Sequence, residues 1–321
     1  MPAVSVIVPN YNHARFLPRR LDSILNQSFD DIEVIILDDA SSDNSHDVIT
    51  SYLADPRVRF YPNKTNSGSP FIQWNRGIQL AEGNLVWIAE SDDYAEGDFL
   101  ASLVPLLREQ PKLGLVYCQS WRVDSKGHVS DTLEDWTVDL DLTRWKTSFV
   151  NEGANECKNY LIWKNTVPNA SAVLLRKDVF LQSGGAPVDM RLCGDWMTWV
   201  RMLQISDIAY FPASLNYFRK HDATVRETTH FRKHFDEKWR VQHFILKSCK
   251  LPVPVRRQLA EQILNEFMAR VRAAGPYEHW HEIVKGINLF WPILAHAPGT
   301  AFNLAVRRAL QSLQRRILSN E

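Results

Sequence analysis

The chain is 321 residues long, room for about two domains of ordinary size and ample length to bury a core. Hydrophobic residues at 45% and charged residues at 23% exclude wholesale disorder and fibrous architectures. Thirty-seven Lys and Arg against thirty-seven Asp and Glu leave a net charge of zero, which argues against a nucleic-acid coat protein, so no nucleic-acid partner is expected.

In chain order, Val4–Pro9 and Ile32–Leu37 are short apolar runs rich in Val and Ile, the pattern of strands buried on both faces of a parallel sheet. Val58–Tyr61 and Leu85–Ile88 extend the series. Helical segments lie between them: Pro18–Gln27, then Ser45–Leu53 behind the cap candidate Asp43, then Phe71–Leu80. Alternating strands and helices predict βαβ units in an α/β fold, with the ligand crevice beyond the carboxyl ends of the strands. Past residue 115 the pattern is mixed, with strand candidates at Leu115–Gln119, Ser171–Leu175 and Ile208–Phe218 and a helix at Gly194–Leu203. From Thr228 the chain reads as helix. The expected organisation is a catalytic domain over 1–227 and a helical region over 228–321.

The four cysteines (Cys118, Cys157, Cys193, Cys249) are scattered without a CxxC pair, the usage of reduced thiols in a cytosolic compartment. No export signal is visible, and the uncharged stretch from Gly286 to Val306 is broken by Pro292, Pro298 and Gly299. A cytoplasmic location follows as an expectation.

The chemistry lies in the loops after the strands. Glu90-Ser91-Asp92-Asp93 ends an apolar strand with clustered carboxylates that repel one another unless a cation or hydrogen-bond donors sit among them. Mg²⁺ or Mn²⁺ bridging a diphosphate fits such hard oxygen ligands; helix capping by Asp92 and Asp93 is the plainer reading. The second strand delivers Asp38 and Asp39 to the same edge, where a carboxylate can accept hydrogen bonds from a nucleobase or ribose. Asn75-Arg76-Gly77 precedes the acidic strand, and Arg76 either answers a phosphate or faces solvent.

The opening Val4-Ser5-Val6-Ile7-Val8-Pro9-Asn10-Tyr11-Asn12, then Leu37-Asp38-Asp39-Ala40-Ser41-Ser42-Asp43, then Ala81-Glu82-Gly83 leading to Ala89-Glu90-Ser91-Asp92-Asp93, resemble family 2 glycosyltransferases of the GT-A fold. The resemblance runs over roughly residues 3 to 222, and its weight lies in four motifs falling in the family's order. It implies a nucleoside-diphosphate sugar donor of UDP, dTDP or GDP type, with Pro9, Tyr11 and Asp39 around the base. Glu90, in place of a more usual Asp, falls near the ribose, and Asp92 on the metal. Cys193-Gly194-Asp195-Trp196 resembles the helix start that carries the family's general base, which makes Asp195 the candidate proton acceptor. In-line attack would invert the anomeric carbon. His221 ends a strand where similar proteins place a further metal ligand. Trp121, Trp145, Trp163, Trp196 and Trp199 fall on the side where the family binds acceptors, with Trp196 the one candidate for sugar stacking.

The expected function is thus transfer of a sugar to a glycan or lipid-linked hydroxyl, in bacterial surface-polysaccharide assembly by analogy. Two alternatives stand beside it. A nucleotidyltransferase would use the same geometry, although no Gly-rich, Lys-containing triphosphate loop follows the first strand. A non-catalytic nucleotide-sugar-binding protein would keep the fold without the chemistry. The tail from Lys285 to Asn320 carries five basic residues and no acidic ones. Phe302, Val306, Leu310, Leu313 and Ile317 recur there at helical spacing, within an arc of about 80°. That helix either packs on the catalytic domain or lies peripherally on the inner face of an anionic membrane, and both accounts stay open.

Overall fold

A computed structural model describes residues 1–220 and 231–273. The chain separates into two compact units, Met1–Thr229 and His230–Glu321.

The first half of the larger unit runs β1 (Val4–Asn10), α1 (Leu17–Leu25), β2 (Ile32–Asp38), α2 (Ser45–Tyr52), β3 (Val58–Pro62), α3 (Pro70–Leu80) and β4 (Leu85–Ile88). Every residue of β1 and β2 is buried, which explains why their sequences are continuous apolar runs rather than alternating ones. β1 lies between β2 and β4, parallel to both, with Val4 opposite Ile32 and Leu85. β3 adds in parallel on the far side of β2. Three strand ends therefore reach one edge of the sheet: Asn10 opposite Asp38, and Ala89 N–H donating to Ile7 O just beyond β4.

α1 begins one residue before Pro18, which sits in the first turn where a missing N–H costs nothing. Its Leu17, Leu21 and Ile24 are fully buried, each contributing about 1.5–3 kcal/mol of hydrophobic stabilisation. Two glycines allow backbone to approach the sheet. A Cβ at Gly77 of α3 would lie 2.4 Å from Ile7 Cγ2, and one at Gly83 would lie 2.9 Å from the Ser5 N and Oγ atoms. Below this turn the Glu33 carboxylate ties the strand starts together, accepting from Ser5 Oγ at 2.5 Å, from Glu82 N at 2.6 Å and from Arg59.

The chain continues through β5 (Tyr94–Ala95), α4 (Phe99–Glu109), β6 (Leu113–Val123), β7 (Val129–Thr132), β8 (Phe149–Asn151), α5 (Gly153–Glu156), β9 (Val173–Arg176), α6 (Lys177–Gln182), α7 (Gly194–Met202) and β10 (Asp207–Arg219). Strand order along the sheet is β3-β2-β1-β4-β9-β6-β10-β5, with β7 on β6 and β8 on β10. β9 runs antiparallel to both β4 and β6, so the sheet is parallel from β3 to β4 and mixed beyond it. The strand expected from Ser171 starts two residues later, because the Asn169 side chain accepts the Ser171 N–H and caps a 3₁₀ turn over Ala170–Ala172. β6 outruns its expected bounds because it pairs in parallel with β10 along its length, across register shifts between Phe211 and Asn216.

The second unit contains α8 (Phe231–Ser248) and α9 (Val253–Ala273). Lys238 Nζ at 2.6 Å and Trp239 Nε1 at 3.3 Å both reach the Glu266 carboxylate, and Val241, Ile245, Leu259 and Ile263 are buried. The basic amphipathic segment over residues 302–317 and the metal candidate His221 lie outside the described residues. Among the described residues no helix is long and apolar enough to cross a membrane.

Candidate active site

The loop after β1 and the loop after β2 are laced together. The Asp38 carboxylate is fully buried. Its Oδ1 accepts from Asn10 Nδ2 at 2.7 Å and Ser41 Oγ at 2.6 Å, and its Oδ2 accepts from Ser41 N at 2.9 Å and lies 3.0 Å from His46 Nε2. Ser41 Oγ in turn accepts the Asn12 N–H, and Asn12 Oδ1 accepts from Ser42 N. Asn12 and Ala40 hold left-handed φ values of 57° and 60°, the strain such a double loop stores. Asp38, expected among the donor ligands, has both oxygens engaged inside the loop, where it braces the turn. The expected cap Asp43 accepts the Ser45 N–H at 3.0 Å.

Asp39 points the other way, toward the loop before α3. It accepts from Asn63 Nδ2 at 2.6 Å and from Ser67 N, Ser67 Oγ and Gln73 Nε2, each at 2.8 Å. Pro9 is buried in β1 next to this junction, while the Tyr11 ring at its rim is 47% exposed, open to stack on a planar ligand. Arg76 donates to Asn63 Oδ1 and lies 5.9 Å from the Tyr61 ring, on the same rim as Asp39. Asn75 serves a different end: its amide donates to Ala186 O and accepts from Ala186 N, both at 2.9 Å, clasping the loop that leads into α7. Expected at the donor, Asn75 has its amide committed to this clasp.

The acidic segment after β4 is held from below and from the sides. Trp74 of α3 donates its indole N–H to Glu90 Oε1 at 2.8 Å, Ser171 Oγ accepts the Glu90 N–H, and His13 Nδ1 lies 2.8 Å from Ser91 Oγ. Asp93 is buried, accepting from Arg219 N at 2.8 Å and Asn169 Nδ2 at 3.1 Å. Arg219 Nε also donates to Asp92 O, and Arg20 Nε to Glu90 O. These partners fix the backbone and side chains of the acidic segment in place. Burial first, and Asp92 second, push the Glu90 carboxyl up to about 8. The same two causes raise Asp93, against the pull of Arg20. Asp92, half-buried, is the source of that repulsion on both sides. A divalent cation there would relieve it, and a hard oxygen donor suits Mg²⁺ or Mn²⁺. Among the described residues no three His, Cys, Asp or Glu side chains form a group that could hold a metal ion, so protein side chains would supply only part of a coordination sphere, with Asp92 as the hard oxygen donor.

Asp195 lies in the first turn of α7 and accepts from Asn165 Nδ2 at 2.9 Å. α7 packs on α3: the Trp74 and Trp199 rings lie 6.0 Å apart, and a Cβ at Gly194 would fall 2.4 Å from Phe71. The proton-acceptor candidate is thus mounted beside the helix whose indole holds Glu90. Trp196, the expected sugar platform, is corrected: only 4% exposed, it donates to Leu161 O at 3.1 Å, and its ring packs inside the domain. Trp145 and Trp199 are buried likewise.

Arg20, Trp74, Asn165 and Arg219, none of them expected from the sequence, reach the acidic residues from α1, α3, the segment before β9, and β10. Asn169-Ala170-Ser171, which the family resemblance places beside the site without a role, supplies the Asn169 bond to Asp93.

The profile of the family described as Glycosyl transferase family 2 matches residues 5–175, just over half of the chain. Among curated relatives, a chondroitin synthase of Escherichia coli is 31% identical over 139 residues, covering 43% of this chain and 20% of that protein. A GalNAc(5)-diNAcBac-PP-undecaprenol beta-1,3-glucosyltransferase of Campylobacter jejuni is 34% identical over 110 residues, 34% of this chain and 36% of the other. The first such relatives are matched over only 20–40% of their own length. Among solved structures, S. aureus TarS 1-349 in complex with UDP-GlcNAc superposes with a TM-score of 0.70 at 18% identity, covering 92% of this chain and 83% of that one. The mannosyltransferase PcManGT from Pyrobaculum calidifontis, in complex with GDP-Man and Mn²⁺, gives 0.58 at 18% identity over 99% and 82%. At such identity the structures speak for the GT-A architecture alone; joined to the profile match across β1 to β9, they leave one assignment, that the chain belongs to glycosyltransferase family 2.

Proposed function

We propose that this glycosyltransferase is metal-dependent and inverting, and moves one sugar from a nucleoside diphosphate to a glycan or lipid-linked hydroxyl. The observation that carries the reading is the cluster of Glu90, Asp92 and Asp93 at the edge shared by the ends of β1, β2 and β4, where half-buried Asp92 repels both of its neighbours. The relatives named for polysaccharide and lipid-linked glycan synthesis, and the neighbours solved with UDP-GlcNAc or GDP-Man, support the same donor and acceptor classes.

In this reading Tyr11 stacks on the base at the rim where Asp39 and Arg76 sit, and Glu90, oriented by Trp74, accepts a ribose hydroxyl. Asp92 holds Mn²⁺ or Mg²⁺, with His221 a further candidate ligand. When bound, the ion supplies positive charge that stabilises the departing diphosphate. Asp195, steadied by Asn165, takes the proton from the acceptor hydroxyl as its oxygen attacks, so attack and departure occur on opposite faces of the sugar. Asp38 and Asn75 shape the pocket by bracing its loops.

The test is release of nucleoside diphosphate from a panel of nucleotide sugars with Mn²⁺, for the wild type and Asp92→Asn. Metal-dependent release by the wild type alone is expected. Pyrophosphate as the product would point to nucleotidyl transfer instead, and equal release by Asp92→Asn in chelator would overturn the metal assignment.

A further inference from the structure

Among the described residues Arg20 is the one basic side chain buried with no exposure, and it lies behind the acidic edge. It sits on α1 among Leu17, Leu21 and Ile24, at a position where the helix otherwise presents only apolar groups to the sheet. Its guanidinium lies 5.0 Å from the Trp87 ring, and its Nε donates to Glu90 O at 3.0 Å. Its two terminal nitrogens have no hydrogen-bond partner among the described residues. A buried arginine kept for its fork of donors would use them; this one uses a single N–H. What it delivers to its surroundings is charge, and the groups that feel it are Asp93, Asp92 and Glu90.

We propose that Arg20 is a built-in counter-cation for the acidic edge, a positioning residue that holds Glu90, Asp92 and Asp93 together while no metal is bound and thereby sets how strongly a divalent ion binds. The inference rests on the metal reading of this edge and deepens it. A fixed positive charge beneath the carboxylates offsets their mutual repulsion, so the site need not open when the ion leaves. The same charge opposes an arriving divalent ion. Arg20 therefore trades affinity for a preformed site, an arrangement suited to an ion that arrives and departs with the nucleotide.

The trade makes predictions of opposite sign from those of a space-filling role. Arg20→Met keeps the length of the side chain and removes its charge; Arg20→Lys keeps the charge. In Mn²⁺ titrations in saturating nucleoside diphosphate, followed by electron paramagnetic resonance, Arg20→Met should bind on the order of tenfold more tightly than the wild type, the effect of removing one unit charge near a divalent ion in a partly screened site. Arg20→Lys should stay close to the wild type. Unchanged or weaker Mn²⁺ binding by a folded Arg20→Met overturns the proposal.

If Arg20→Met alone folds poorly, melting temperatures in chelator decide the matter through a double-mutant cycle with Asp92→Asn, which removes the charge that repels both neighbours and keeps the side chain's shape. The proposal requires Asp92→Asn to raise the melting point of Arg20→Met by more than it raises that of the wild type. Additive effects overturn it. A wild type that binds no Mn²⁺ would sink the metal reading, and the cycle in chelator would still judge the charge role of Arg20.

Discussion

Replacing Glu90 by Gln reads the acidic edge directly, because the amide keeps an oxygen to accept the Trp74 N–H and removes only the charge. Burial, then Asp92, then Asp93 raise the Glu90 carboxyl to about 8 from 4.5, with the Trp74 bond and Arg20 pulling the other way. A carboxyl raised on folding binds its proton more tightly in the native state than in the unfolded chain. Its contribution to stability is therefore present in full below pH 4.5 and is lost as pH rises through 8. At about 1.4 kcal/mol per tenfold change in proton affinity the whole loss is about 5 kcal/mol, of which roughly 3–4 kcal/mol falls between pH 5 and pH 8. In chelator, Glu90→Gln should thus outlast the wild type increasingly as pH rises, the melting points separating by roughly 6–12 °C at pH 8. Thermal melts by circular dichroism at pH 5, 6.5 and 8 give the comparison. Saturating Mn²⁺ should narrow the gap at pH 8, since the ion offsets the same charge. A gap that stays constant with pH, or a variant less stable than the wild type at pH 8, would refute the reasoning.

Three further expectations come from other parts of the molecule. Asp195→Asn should lower kcat by roughly 10²–10⁴ while leaving donor affinity near that of the wild type, as measured by initial rates and by nucleotide binding; a variant that loses donor binding but turns over normally at saturation contradicts its role as base. Gly77→Ala should destabilise despite the helix propensity of Ala, because about 1 kcal/mol of propensity is outweighed by about 1–3 kcal/mol of overpacking where the new methyl would meet Ile7 Cγ2 at 2.4 Å. Denaturant melts check it, and a gain in stability would show that β1 and α3 can part at no cost. The four cysteines are all buried, and burial pushes the Cys118 thiol up to about 12, so a thiol reagent at pH 8 should label none of them in the native protein and all four in denaturant; rapid labelling of Cys118 without unfolding would contradict its burial.

The parallel half of the fold was legible because its signals are local. Val4–Asn10, Ile32–Asp38 and Leu85–Ile88 are apolar on both faces, and a parallel sheet is the arrangement that buries both, so the acidic loops had to emerge at one edge. The mixed half was legible only in part. An antiparallel β9 between β4 and β6 follows from pairings more than 50 residues apart in sequence, which periodicity does not encode. The division of labour among carboxylates shows the same limit. Asp38 and Asp39 are neighbours with identical chemistry, yet one turns into the loop toward Asn10, Ser41 and His46 and the other toward Asn63, Ser67 and Gln73. Alternation along the backbone sends successive side chains to opposite faces, but which face holds the brace depends on partners from distant segments.

Arg20 and Trp74 were hidden for a stronger reason. Each occupies a core position of an amphipathic helix, where the pattern Leu17, Leu21, Ile24 or Phe71, Ile78 describes packing and nothing more. An arginine in the first pattern reads as a helix-face cation, and a tryptophan in the second as filler. Their chemistry appears only when β4 brings Glu90 to the end of both helices, so that the guanidinium Nε meets Glu90 O and the indole N–H meets Glu90 Oε1. Motifs in the sequence name the acidic segment itself; the groups that orient it come from α1 and α3, through contacts 70 and 16 residues apart. A site built this way tolerates Glu at position 90 because the indole of Trp74 fixes the longer side chain from below.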